Sequence, residues 1–99
     1  MRAIFSAESK RDLAEIGAYI AGDSPSRAVT FVRELRVLCE SLTDAPLRFP
    51  VVRKIGTFAM LRAILGNYLI FYAVRNDGLF IVRILHAARD YERLLFDDD

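Results

Sequence analysis

At 99 residues and 54% hydrophobic composition, the chain fits one globular domain spanning residues 1–99 and leaves no room for a second core. The single cysteine, Cys39, excludes an internal disulfide and a cysteine-paired metal site, and fits a reducing cytoplasm. No basic leader precedes a long apolar run, and no stretch reaches the roughly 18 uninterrupted apolar residues of a membrane span, so a soluble, unexported protein with no membrane partner is expected.

The net charge of +1 is unevenly spread. Residues 1–45 carry six cations and seven carboxylates, whereas residues 46–93 carry eight cations and three carboxylates, net +5. A basic second half suits nucleic acid, an acidic protein, or an ordinary solvated surface.

Ala3-Ile4-Phe5 is a short apolar strand, and Ser6 is placed to cap a helix whose Leu13, Ile16 and Ile20 recur at helical spacing. Ala21-Gly22-Asp23 breaks that pattern. Ser24-Pro25 restarts it with a capping hydroxyl and a proline at the first helical position. The second helix carries the stripe Ala28, Phe31, Val32, Leu35, Leu38 and Leu42 and stops near Pro46, so the two helices form a hairpin.

From Ala45 to Thr57 the prolines at 46 and 50 and Gly56 favour an irregular loop. Leu61–Leu65, Tyr68–Val74 and Leu79–Leu85 then read as strands joined by turns at Gly66-Asn67 and Asn76-Asp77-Gly78. The fold expected is α+β: a helical hairpin on one face of a four-stranded antiparallel sheet, in the order β-α-α-β-β-β, with the N-terminal strand joining the meander. The last two strands are apolar on both faces, so the face away from the hairpin needs a cover, either the C-terminal segment or a partner.

His86 is the only histidine, and the glycines stand apart from one another, so a catalytic triad, a histidine metal site and a phosphate loop are all disfavoured. No metal or other cofactor is expected. What remains is a cluster on and after the last strand: Arg83, His86 and Arg89-Asp90. Arginine there suits phosphate or carboxylate, and histidine suits proton transfer near neutral pH. The plainer reading pairs Arg89 with Asp90 locally and leaves His86 as a hydrogen-bonded group at a strand end. Arg62 interrupts the apolar run Met60–Leu65 and faces solvent or a buried anion. Tyr68, Phe71 and Tyr72 are read as core, with base stacking the alternative.

The segments "DLAEIGAYIA", "SPSRAVTFVREL", "LRAILGNYLIFYAV" and "VRILHAARD", taken in order, resemble the ParE branch of the RelE/ParE toxin superfamily over nearly the whole chain. The most specific pieces are Asp12-Leu13 with Ile16 and Tyr19-Ile20, Asn67-Tyr68 to Phe71-Tyr72, and His86 with Arg89-Asp90. The resemblance implies the toxin of a type II toxin–antitoxin system, of the kind used in plasmid stabilisation. It would arrest growth by binding and poisoning DNA gyrase without a reaction of its own, and a ParD-like antitoxin would wrap around it and neutralise it. No direct sequence-specific DNA binding is implied. The target contacts expected are Arg62, Arg83, His86 and Arg89. Two alternatives stand beside this: a RelE-like ribosome-dependent endoribonuclease using His86, Arg83 and Arg62, with Tyr91 further on, and an inactive relative that only binds antitoxin.

Overall fold

The computed structural model describes residues 1–75 and 78–96. Strand β1 (Ala3–Phe5) leads into helix α1 (Ala7–Ala21), and α2 (Pro25–Ser41) runs back against it. Both helix starts are set by serine: Ser6 Oγ accepts from the backbone N–H of Ser9, and Ser24 Oγ accepts from that of Arg27, just ahead of the proline. A single 3-10 turn at Leu42–Asp44 ends the hairpin. Strands β2 (Val51–Ile55), β3 (Phe58–Leu65), β4 (Tyr68–Arg75) and β5 (Gly78–His86) follow, and a short helix α3 (Tyr91–Phe96) ends the described chain. Gly66 opens the β3–β4 turn at φ 59°, a backbone conformation that glycine adopts without strain. The turn expected at Asn76-Asp77 lies outside the described residues.

The α+β class and the hairpin-on-sheet layering hold, with two differences in the sheet. It has five strands, in the order β1-β5-β4-β3-β2, and it is mixed, because β1 pairs with β5 in parallel. The fifth strand lies within the segment expected to be an irregular loop. Its prolines at 46 and 50 sit before the strand rather than inside it, and Val51, Val52 and Ile55 have the β-branched side chains that suit extended backbone. Alternation is lost from its sequence because every residue of this edge strand is exposed, with Arg53 and Lys54 guarding the edge.

The helix hairpin covers one face, where Leu13, Ile16, Phe31, Leu35, Cys39 and Leu42 meet Leu61, Ile70, Tyr72, Leu79, Ile81 and Ile84. Tyr72 lies wholly inside and donates its hydroxyl to the Pro46 carbonyl at 2.9 Å, so the loop before β2 is tied to the core. On the far face Met60, Leu69, Phe71 and Leu85 pack against Tyr91, Leu94, Leu95 and Phe96 of α3. The C-terminal segment is therefore the cover that the doubly apolar strands required.

Candidate functional site

β1 is three residues long and β5 nine, so the outer edge of β5 has no strand beside it past Ile81. Side chains from the start of α1 take over there. Ser6 donates its backbone N–H to the Ile81 carbonyl at 3.0 Å and its hydroxyl to the Val82 carbonyl at 2.7 Å. Asp12 then accepts from the backbone N–H of Ile84 at 2.9 Å, from Arg83 Nε at 2.8 Å and from Arg83 Nη2 at 3.0 Å. The two side chains are only 7% and 22% exposed. The hydrogen bonds to Asp12 hold the Arg83 guanidinium above its already high pKa, outweighing burial, which acts the other way.

A bulge between Phe71 and Tyr72 of β4 and the facing part of β5 resets the alternation just before Arg83. Past it, the last residue of β5 reaches an open cleft of about 380 Å³. Asp12, Glu15 and Tyr19 of α1 form one wall, Tyr68 of β4 the floor, and His86 and Arg89 the rim. His86 Nδ1 accepts from the Ala88 N–H at 3.0 Å, so in the neutral ring the proton sits on Nε2, leaving a donor for a ligand. Its ring stands edge-on to Tyr68, with centroids 5.2 Å apart. Burial, with Tyr19 nearby, raises the Tyr68 phenol above its ordinary pKa. Tyr19 is 78% exposed. The cleft thus brings two phenols, an imidazole, the Arg89 guanidinium and two carboxylates, Asp12 being already engaged by Arg83, around the apolar side chains of Ile16, Ile84 and Leu85.

The four cationic or titratable residues singled out from sequence occupy three places. His86 and Arg89 share the cleft. Arg83 is held by Asp12 at the strand edge. Arg62 lies on the far face of the sheet opposite Phe71, and its Nε is buried without a hydrogen-bond partner among the described residues. Tyr91 packs on Phe71 on that same far face, with ring centroids 5.2 Å apart. Tyr68 is only partly buried, while Phe71 and Tyr72 are core. Asp90 lies near Arg93 rather than bonding Arg89. Sequence reading did not place Asp12, Glu15 or Tyr19 in the site. Asp12 had a signal, since a carboxylate next to Leu13 and four positions before Ile16 lies on the buried stripe of α1 and needs a partner there. Among the described residues no cluster of His, Cys, Asp or Glu could hold a metal, and no helix is long and apolar enough to cross a membrane.

The chain is similar in structure to a protein of the chromosomal ParDE toxin–antitoxin system from P. aeruginosa, with a TM-score of 0.70 and 16% identity over 87% of this chain and 95% of that one. It is also similar to a chain of the archaeal RelE-RelB complex from Pyrococcus horikoshii OT3, with a TM-score of 0.54 and 16% identity over 89% of this chain and 96% of that one. No curated protein matches. The family model of the ParE toxin of the type II toxin–antitoxin system, parDE, matches residues 3–91. The chain belongs to the ParE toxin family.

Proposed function

We propose that this ParE-family protein arrests growth in the cytoplasm by binding DNA gyrase through the cleft of Tyr19, His86 and Arg89, and that a ParD-like antitoxin neutralises it. The observation that carries this reading is the separation of the groups a nuclease would need. Phosphodiester cleavage requires an acid, a base and cations converging on one phosphate. Here His86 opens on the helix side of the sheet, Arg62 and Tyr91 lie on the opposite face, and Arg83 is already engaged by Asp12. Binding, by contrast, needs only the exposed aromatic and cationic rim that the cleft provides.

Incubating the protein with gyrase and supercoiled plasmid tests the proposal: detergent traps the cleaved covalent complex, and linear DNA accumulates once protease has removed the attached gyrase. If none accumulates with folded protein, the target is another one. The ribonuclease reading draws on Arg62, whose buried Nε has no hydrogen-bond partner among the described residues and which lies on the same face of the sheet as Tyr91, and it requires truncated messages during arrest. An inactive relative would bind antitoxin without arresting growth.

A further inference from the structure

Three consecutive backbone N–H groups follow the end of β5, and His86 holds two of them. Ala87 donates to the Asn67 carbonyl at 2.7 Å, which carries the strand pairing one residue past β5. Ala88 donates to His86 Nδ1 at 3.0 Å, and Arg89 donates to the His86 carbonyl, also at 3.0 Å. Residues 87–90 are all exposed, so hydrogen bonds rather than packing set their course. The Ala88 bond runs from a side-chain acceptor to the N–H two residues on, the ring that asparagine and aspartate close in Asx turns. An imidazole fills that role only while Nδ1 carries a lone pair.

We propose that His86 is the positioning residue for Arg89: its neutral imidazole fastens the turn after β5, so setting where the Arg89 guanidinium meets a partner, and protonation releases that turn. Protonation changes Nδ1 from acceptor to donor and sets two N–H groups against each other across 3.0 Å. Turning the ring aside would give up its edge-on packing on Tyr68, the residue paired directly opposite it on β4. The exposed turn yields instead, and the Ala88 N–H passes to water at little cost, so the release is reversible and leaves the fold in place. The charged groups that share the cleft with the ring are Glu15 and Asp12 of α1, the latter engaged by Arg83, and Arg89 of its own segment. The phenols of Tyr19 on α1 and Tyr68 on β4 are the other titratable groups there. Calling Arg89 a contact rests on the reading of the cleft given above; the fastening of the turn does not.

Amide NMR of the whole chain, compared with His86→Asn and His86→Phe, tests it. Asparagine keeps an acceptor for the N–H two residues on but does not titrate, and phenylalanine keeps a ring beside Tyr68 with no acceptor. Between about pH 5 and 8, the Ala88 amide proton of the native protein moves with the same midpoint as the His86 ring signals. In His86→Asn it holds its hydrogen-bonded, downfield position throughout, and in His86→Phe it lies at the released position throughout. At neutral pH the ring nitrogens of the native protein show the proton on Nε2. In target capture at neutral pH both variants lose the Nε2 donor, so the turn is what separates them. His86→Asn binds roughly threefold to tenfold better than His86→Phe, the worth of one hydrogen bond. An Ala88 amide indifferent to the His86 titration, a proton on Nδ1 at neutral pH, or His86→Asn behaving as His86→Phe in variants of unaltered circular dichroism would each overturn the proposal. If the native chain captures no gyrase, the target named above fails, while the amide readings still decide the role of His86.

Discussion

Asp12 and Arg83, 71 residues apart in the chain, meet in a two-point ion pair that also secures the backbone N–H of Ile84. Both charges sit largely out of water, so each is tolerated because of the other. Asp12→Ala is expected to lower stability by about 3–5 kcal/mol, because it strands the Arg83 guanidinium and orphans a strand N–H. Arg83→Met is expected to cost a similar amount by leaving Asp12 uncompensated. In urea denaturation the double variant should lose clearly less than the sum of the two. Additive losses would mean that the pair is not coupled.

Arg89→Glu and His86→Ala separate binding from folding. Arg89 is exposed and His86 half-exposed at the rim, so neither change should move stability by more than about 0.5 kcal/mol. If the cleft holds the target, gyrase trapping drops by about tenfold or more for Arg89→Glu. Undiminished trapping in these two folded variants would assign target contact to another surface.

Arg62 presents the opposite case. Its Nε is buried without an acceptor among the described residues, a burden of about 1–3 kcal/mol for an unsatisfied polar group. Arg62→Met keeps the aliphatic stem against the apolar far face and should therefore leave the protein as stable or stabler by thermal denaturation. A large loss of stability would show that the guanidinium has a structural partner. Retained stability with lost toxicity would place Arg62 in the functional surface.

Cys39 is wholly buried, and burial, reinforced by Glu40, pushes its thiol from 9.0 up to about 12. The folded protein therefore keeps this proton over a range in which the unfolded chain releases it. Stability from this source is complete below pH 9.0 and declines as the pH rises towards about 12, by up to about 1.4 kcal/mol per pH unit. Comparing denaturation of the native chain with Cys39→Ala across that window should show a shallower decline in the variant. A thiol reagent at pH 8 should also label Cys39 only after denaturant is added.

Much of this architecture is legible locally. Ser6, Ser24-Pro25 and the apolar stripes announce both helices, and Gly66-Asn67 announces a hairpin, because caps and turns are decided by neighbours within a few residues. Strand β2 is hidden because an exposed edge strand needs no alternation. The parallel place of β1 is hidden because it depends on the last strand of the chain. Helix α3 is six residues long and rests on tertiary packing against Phe71 and Leu85, so its own sequence carries too little signal. The candidate site shows the same division. His86 and Arg89 are near neighbours in sequence and meet in space, whereas the engagement of Arg83 is decided by a helix encoded 71 positions earlier.

The side chains that finish the edge of β5 also bear on how the sequence can drift. A strand would offer Ile84 a backbone partner that survives almost any substitution, whereas Asp12 offers one that depends on the residue's identity. Positions 12 and 83 are therefore bound to change together: a lineage that exchanges the arginine has to replace the acid in step, while the freely exposed Arg89 can vary with the partner it meets.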